Sequence, residues 1–197
     1  MAWGYALLTS YLLGSIPTAY LMVKRLKGSD IRAIGSGNVG ATNVTRAAGF
    51  KAGALVFLLD AAKGWLAATW IAGQWSPLSS IAPLACGAAA IIGHIAPVFL
   101  RFRGGKGVAT TIGVLIGAIP LVAGVCLVIW VACFFAWRYV SLASLIALSA
   151  VPLAQWALRQ PPSHVAIGLA LAALVLFTHR ANIQRLRAGT EHRWTKR

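Results

Sequence analysis

The sequence predicts an all-α, polytopic integral membrane protein, and three observations carry that prediction. Apolar residues make up 59% of the 197 residues, and the mean hydropathy is +0.77. Apolar runs of helical length follow one another along the whole chain. The 18 Lys and Arg residues lie in short clusters between these runs, a pattern typical of membrane topology and not of nucleic-acid binding. We therefore expect one membrane-embedded domain over residues 1–197.

The apolar runs define the candidate spans. They are Ala2–Val23, Gly53–Gly73, Ser79–Leu100, Val108–Ala136, Ser141–Leu158 and His164–Thr178. The fourth run would form a helix of about 44 Å, against a hydrocarbon core of about 30 Å. Because Pro120 interrupts this run, we expect it to fold back as two helices. The chain then has seven transmembrane or partly crossing helices.

The distribution of basic residues fixes the expected orientation. With seven spans, an outside N-terminus and an inside C-terminus, the inner face holds four basic clusters. They are Lys24–Lys51, Arg101–Lys106, Arg138 and Arg180–Arg197. Only Arg159 then lies outside, whereas six spans would place whole clusters on the wrong side. Two helices, about Lys106–Ile119 and about Ser163–Thr178, are too short to cross a full bilayer and are expected to line a cavity.

The first polar segment, residues 35–49, lies between the first two apolar runs and is rich in glycine. Ser36 or Gly37 is expected to cap a short interfacial helix. That helix is expected to run to about Ala48, with Gly49 as its C-terminal stop.

Four polar side chains of this segment are candidate anion ligands. Asn38, Thr42 and Arg46 recur at intervals of four, and Asn43 lies beside them. On a helix they would share one face beneath an N-terminus that attracts anions. A solvated loop with an exposed arginine is the alternative interpretation.

The second polar segment, Arg101–Thr111, leads into the fourth apolar run. It is not a Walker A loop, because Gly107 replaces the Ser or Thr that should follow Lys106 and no strand precedes it. Glycines that open a helix, with a lysine among them, still form an anion-binding nest. Arg101 and Arg103 are sufficiently explained as topology anchors.

The third polar segment, His179–Glu191, follows the last apolar run. His179, Asn182 and Gln184 or Arg185 would leave the membrane at its surface, where a histidine can donate to a phosphate or accept a substrate proton. A basic tail that binds lipid headgroups is the alternative.

Carboxylates are scarce. Only Asp30, Asp60 and Glu191 are present, which argues against a metal-dependent phosphotransferase, because its metals need clustered carboxylates. The cysteines have no paired spacing, so no zinc site is expected either. Asp60 and Lys63 are expected to form a structural pair within the second run, and His94 to bond a neighbouring helix. We predict no metal and no cofactor.

The polar motifs, in this order, resemble the bacterial acyl-phosphate:glycerol-3-phosphate acyltransferases, the PlsY family. The motifs are Gly-Ser-Gly-Asn-x-Gly-Ala-Thr-Asn-x-x-Arg from Gly35, Asp60-x-x-Lys63-Gly64, Gly93-His94 through Pro97-Val98-Phe99 into Gly104-Gly105-Lys106-Gly107, and His179-Arg180-x-Asn182-Ile183 with Gly189-x-Glu191. Ala96 departs from the family pattern, in which an aromatic residue precedes Pro97. The His-x-x-x-x-Asp pair of other glycerol-phosphate acyltransferases is missing from the sequence.

The resemblance implies acyl transfer from a fatty acyl phosphate to the sn-1 hydroxyl of glycerol 3-phosphate. The products would be 1-acylglycerol 3-phosphate (lysophosphatidic acid) and phosphate, in the first acylation of phospholipid synthesis. The reaction would take place at the inner face of the bacterial cytoplasmic membrane, among membrane lipids. A transient contact with the soluble enzyme that makes acyl phosphate is the implied protein partner.

The resemblance also implies roles for individual residues. The acyl-phosphate nest would comprise Ser36, Gly37, Asn38, Thr42, Gly104, Gly105 and Lys106. Glycerol 3-phosphate would be positioned by Arg46, Lys106, His179 and Asn182, with Asn43 also among the binding residues. Ser36, Lys106 and His179 would act in catalysis, and either His179 or a substrate phosphate oxygen would take the hydroxyl proton.

A transporter for phosphate or a phosphorylated metabolite is the alternative function. Half-crossing helices with anion-binding ends also suit transport. Transport, however, needs a site near the midplane that is reachable from both sides, and the expected orientation places all three polar segments on the inner side. A purely structural lipid-binding protein would have no use for glycine nests.

Overall fold

The structure, a computed structural model, describes residues 2–75 and 78–194. This part of the chain is helical and contains no strand. It forms two compact units, the first ending at Ala118 and the second beginning at Ile119.

The first unit consists of helices α1 to α7. They are α1 (Ala2–Ser15), α2 (Thr18–Lys27), α3 (Ala41–Ala48), α4 (Phe50–Leu66), α5 (Ala72–Trp75), α6 (Ala82–Ile95) and α7 (Val108–Ala118). A π-helical turn, Ala67–Ile71, joins α4 to α5 without a break, and 3-10 turns at Ile31–Ala33 and Val98–Leu100 lie within the polar connections.

The second unit consists of helices α8 to α12. They are α8 (Pro120–Trp137), α9 (Val140–Ser149), α10 (Val151–Ala157), α11 (Pro162–Thr178) and α12 (Arg180–Arg187). Helices α11 and α12 meet at an angle of 59°.

Five helical segments of the described chain are long and apolar enough to cross a membrane. They are Trp3–Lys27, Phe50–Trp75, Ala82–Leu100, Pro120–Trp137 and Val140–Ala157. The bent pair of α11 and α12 makes a sixth if it is one span, and α7 is a shorter apolar helix of 11 residues. The protein is therefore an all-helical membrane protein with five or six candidate spans, and α7 has the short length expected from the sequence.

Proline sets two of the helix boundaries. The long fourth run breaks at Ile119, as predicted, because Pro120 begins α8 and has no N–H to continue α7. The first run also breaks, at Ile16 and Pro17, which the sequence analysis treated as one continuous helix. The carbonyl of Ile16 is thereby released from the regular helix pattern.

The helix of the first polar segment is shorter than predicted. It begins at Ala41 with Gly40 before it, and not after Ser36 or Gly37, although it ends at Ala48 and Gly49 as expected. The reason is local backbone geometry, since Gly35 and Gly37 have φ values of +58° and +70°, which an α-helix does not accommodate. Asn38 consequently lies before α3 and does not share its face with Thr42 and Arg46.

Glycines allow the helices of the first unit to approach closely. A Cβ atom on Gly93 of α6 would collide with the Tyr11 carbonyl of α1, and one on Gly113 of α7 would collide with the Ala61 carbonyl of α4. Backbone therefore packs directly on backbone, as is common between membrane helices. This packing brings the end of α6 and the start of α7 close to the polar part of α4.

Candidate active site

The segment before α3 opens with an exposed ion pair. Asp30 accepts a hydrogen bond from the backbone N–H of Arg32 and thereby caps the 3-10 turn Ile31–Ala33. The Arg32 guanidinium also lies 2.6 Å from the Asp30 carboxylate. These hydrogen bonds from Arg32 hold the pKa of Asp30 below its usual value. The ion pair stabilises the turn that precedes the glycine-rich loop, and both of its side chains are partly exposed to solvent.

Asn43 organises the loop from within. Its side chain is 1% exposed, and its Oδ1 accepts a hydrogen bond of 3.1 Å from the Ser36 N–H. Its Nδ2 donates to the carbonyls of Ile34 at 2.9 Å and Asn38 at 3.1 Å, and lies 3.3 Å from that of Ile31. One amide on α3 thus ties together both sides of the loop. In this geometry Asn43 acts on the loop backbone.

The remaining predicted residues of this segment lie nearer the surface. Ser36 and Arg46 are exposed, whereas Asn38 and Thr42 are half-buried. Thr42 and Arg46 lie one turn apart on α3, as predicted. Gly37, at positive φ, turns the chain between Ser36 and Asn38.

The glycines of the second polar segment attach its loop to the end of α6. The Gly104 N–H donates to the Ile95 carbonyl and the Gly105 N–H donates to the His94 carbonyl, both at 3.0 Å. A Cβ atom on either glycine would collide with α6, so both positions require glycine for close approach. The two amides are occupied by these bonds, which leaves the first turn of α7, after Lys106, as the source of N–H groups without a partner inside the helix.

The turn that leads into this loop has an unusual backbone. Arg101 and Phe102, neither of them glycine, have φ values of +54° and +62°. The Phe102 N–H donates to the Pro97 carbonyl at 2.9 Å, which helps to hold the reversal. Adjacent non-glycine residues at positive φ are unfavourable and are retained where the surrounding structure determines them.

The first and second polar segments meet inside the first unit. The carbonyl of Val39 lies so close to Gly105 that an added Cβ atom would collide with it. A cavity of about 10 Å³ lies beside this contact, and its lining includes Thr18, Val39, His94 and Gly104. The structure therefore brings together two of the three predicted segments, with Lys106 half-buried beside them.

The third segment belongs to the second unit. His179 lies at the bend between α11 and α12 and is 2% exposed. Its Nδ1 lies 3.0 Å from the carbonyl oxygen of Val175. A carbonyl only accepts, so Nδ1 carries the proton in the neutral ring and Nε2 is the basic nitrogen.

Glu191 holds the neighbouring Asn182. Its carboxylate accepts from Asn182 Nδ2 at 2.8 Å, Arg185 Nε at 2.7 Å and Ser141 Oγ at 2.9 Å. Burial raises the pKa of Glu191, but these hydrogen bonds outweigh it, so that the pKa lies below its usual value. Nothing near Ser141 in the sequence indicated its contact with Glu191.

A buried polar cluster lies next to the first two segments. Asp60 and Lys63 are 1% and 5% exposed and form the predicted pair, with Nζ 2.6 Å from Oδ1. His94 lies at the end of α6, and its Nδ1 is 3.7 Å from Asp60 Oδ1 on α4, which confirms a contact with another helix. Thr18 also donates to Asp60, a contact that the break at Pro17 could have suggested. Among the described residues, no three His, Cys, Asp or Glu side chains lie together as a metal site.

These features define a class of protein. It is a multi-pass membrane protein whose first unit joins two glycine-rich, cationic segments suited to a phosphate group. Its second unit carries a buried histidine with a defined basic nitrogen.

Comparison with known proteins gives the family. The family model for glycerol-3-phosphate acyltransferase matches residues 4–189. A glycerol-3-phosphate acyltransferase of Syntrophomonas wolfei is 49% identical over 96% of this chain and 95% of its own, and one of Aquifex aeolicus is 44% identical over 96% and 98%. The chain belongs to the glycerol-3-phosphate acyltransferase family.

Solved structures agree with this assignment. A crystal structure of PlsY, described as an integral membrane glycerol 3-phosphate acyltransferase in its glycerol 3-phosphate form, matches with a TM-score of 0.92 and 41% identity. The match covers 99% of this chain and 96% of the PlsY chain. The lysophosphatidic acid form matches with a TM-score of 0.88 at the same identity and coverage.

The contacts of Asn43 generate a prediction about the loop. Asn43→Asp removes the two N–H donors that face these carbonyls and places a carboxylate against them. We expect the free energy of unfolding to fall by about 1–3 kcal/mol, as for a buried polar group left unpaired. The thermal unfolding midpoint in detergent measures this change.

Arg32→Ala is the matched control, because it removes a polar contact of the same segment that is exposed. It should change the midpoint little, since exposed ion pairs contribute about 0–1 kcal/mol. Equal midpoints for Asn43→Asp and the wild type would contradict the role given to Asn43.

Proposed function

We propose that the chain transfers a fatty acyl group from acyl phosphate to the sn-1 hydroxyl of glycerol 3-phosphate. The observation that carries the proposal is the contact between Val39 and Gly105, which joins two segments rich in glycine and cations. A joined pair of such segments is suited to a phosphate-bearing substrate. The products are 1-acylglycerol 3-phosphate and inorganic phosphate.

The reaction does not require a nucleophile from the protein. An acyl phosphate is a mixed anhydride, so its carbonyl carbon is already activated. The sn-1 oxygen attacks that carbon, the bond from carbon to the phosphate oxygen breaks, and phosphate leaves with the bonding electrons. The protein has to bring two anions together and stabilise the charge that develops. Lys and Arg side chains with helix N–H groups supply that stabilisation without a metal.

The geometry refines the roles of the acyl-phosphate residues. Ser36, Gly37, Asn38 and Thr42 form one wall of the nest, with Ser36 acting on the reacting phosphate. Lys106 and the N–H groups that open α7 form the other wall. Gly104 and Gly105 contribute by letting the backbone approach closely, and Asn43 contributes by holding the Ser36 loop.

The second substrate is positioned by cations and an amide. Arg46 and Lys106 bind the phosphate of glycerol 3-phosphate, and the family resemblance assigns His179 and Asn182 to the same substrate. The Nδ1 hydrogen bond of His179 supports Nε2 as the group that takes the hydroxyl proton. A phosphate oxygen of the substrate is the other candidate base.

The same proposal includes orientation and location. The charge distribution supports a bacterial inner-membrane protein with its N-terminus outside, its C-terminus inside and its active site on the cytoplasmic face. A soluble enzyme that makes acyl phosphate would then deliver the donor from the cytoplasm. Seven transmembrane or partly crossing helices satisfy this orientation.

Purified protein with palmitoyl phosphate and glycerol 3-phosphate provides the direct test. We expect phosphate release that depends on glycerol 3-phosphate, with formation of the monoacyl product, and the rate should persist in excess EDTA. Loss of activity restored by magnesium would contradict the charge-stabilisation mechanism. Uptake of labelled phosphate or glycerol 3-phosphate into liposomes without acyl transfer would favour a transporter instead.

Site variants should separate charge from proton transfer. Lys106→Ala should lower the rate by about 10²- to 10³-fold, as for loss of one electrostatic donor. Arg46→Lys keeps the charge but loses the bidentate fork, so KM for glycerol 3-phosphate should rise. His179→Asn should abolish activity and the acidic limb of the pH profile if His179 is the base, but leave that limb if a phosphate oxygen is the base. Near-wild-type rates for all three folded variants would place the site elsewhere.

Single introduced cysteines test the orientation. Gly189→Cys should react with an impermeant thiol reagent only from the cytoplasm, and Pro162→Cys only from outside. The native cysteines are buried, and the wild-type protein is the control for their background labelling. Labelling of both introduced cysteines from one side would rule out an odd number of spans.

A further inference from the structure

We propose that His94 is a positioning residue for the loop Gly104–Lys106, and that the buried pair of Asp60 and Lys63 orients it. The inference rests on the proposed function, because its expected effect is on the use of acyl phosphate. None of these three side chains is assigned to the substrate nest.

The Asp60–Lys63 pair makes contacts beyond its own ion pair. Ionised side chains within a membrane span are costly, and they persist where they are paired and have a use. Lys63 Nζ contacts Asp60 and donates to the Ile16 carbonyl at 2.7 Å, which the Pro17 break makes accessible. Thr18 Oγ1 donates to the same Asp60 oxygen at 2.5 Å. The Asp60–Lys63 pair is therefore held by groups other than His94.

His94 connects this anchored pair to the nest. Its Nδ1 faces Asp60 Oδ1 at 3.7 Å, and a Cβ atom on Gly105 would collide with its Nε2 edge. The ring is thus held between the Asp60 carboxylate and the Gly105 backbone. Gly105 in turn lies between this ring and the Val39 carbonyl.

The backbone of the same residue makes a second connection. The His94 carbonyl accepts the Gly105 N–H at 3.0 Å, so both the ring and the main chain of His94 define the position of Gly105. Lys106 follows Gly105 directly. If the His94 ring moved, the backbone of Lys106 and the first turn of α7 would therefore move with it.

The packing leaves little space to absorb such a change. The adjoining cavity has a volume of about 10 Å³, roughly the least that holds one water molecule. His94 itself is 9% exposed. Since a misplacement of about 1 Å can cost about 10²-fold in rate, a small ring movement is enough to affect catalysis.

Steady-state kinetics of four variants, and of one combination of them, test the proposal. His94→Ala removes the ring, and His94→Gln keeps a polar side chain of similar reach if the alanine variant does not fold. Asp60→Asn with Lys63→Gln removes both buried charges together, so that neither is left unpaired. His192→Ala is the matched control, because it removes an exposed histidine that has no assigned role.

We expect KM for palmitoyl phosphate to rise about 10-fold or more in His94→Ala, the size typical of losing an orienting partner. KM for glycerol 3-phosphate should change less. The paired Asp60 and Lys63 variant should show the same rise with His94 present, and should add little when combined with His94→Ala, because both act through one ring. His192→Ala should match the wild type.

A merely structural role predicts a different result. It would lower the thermal midpoint and the yield of folded enzyme but leave KM for palmitoyl phosphate within about twofold of the wild type. That result for the folded His94 variants, or independent effects of the His94 and paired variants, would overturn the inference. If the wild type itself transfers no acyl group from palmitoyl phosphate, the proposed function fails instead.

Discussion

The contact between Lys63 and the Ile16 carbonyl is the interaction on which the first unit depends. Proline at position 17 interrupts the first candidate span, and the Ile16 carbonyl at this break accepts the Thr18 N–H at 3.0 Å. Lys63 adds a second donor to the same oxygen at 2.7 Å, and Asp60 compensates the charge of Lys63. The same carboxylate is bonded by Thr18, so one buried cluster joins α2, α4 and the break between α1 and α2. The glycine contacts of α6 and α7 can then place two polar loops against this cluster.

The fold was predictable where the sequence contains strong local signals. Pro120 inside an overlong apolar run predicted the break at Ile119, because proline cannot continue the hydrogen-bond ladder of the preceding helix. The break at Pro17 was missed, since the first run is of ordinary length and nothing required it to be divided. The start of α3 was placed too early because the glycines before it were treated as a helix cap. The Asn43 side chain bonds the backbone of Ile34, Ser36 and Asn38 around these glycines, a set of contacts that helical spacing does not reveal.

The candidate site was predictable as a set of segments but not as a set of contacts. Glycine, lysine and hydroxyl side chains between apolar runs indicated phosphate, whatever their exact partners. The sequence could not show that the Gly104 and Gly105 amides are bonded to α6, because that depends on how the turn at Arg101 and Phe102 reverses. It also could not show that Glu191 binds Asn182 through a carboxylate shared with Ser141, 50 residues earlier in the chain. The scarcity of carboxylates was the informative signal. Each of the three carboxylates pairs with a nearby cation.

The hydrogen bond from His179 to the Val175 carbonyl makes the choice of tautomer a property of a single helical turn. The backbone N–H of His179 bonds the same carbonyl at 3.0 Å, so one oxygen fixes both the course of the chain and the proton of the ring. Residues of one turn supply this hydrogen bond, whereas in the Ser-His-Asp triad a carboxylate from a distant part of the sequence bonds the histidine Nδ1. In the neutral ring, the last turn of α11 therefore defines which nitrogen carries the proton.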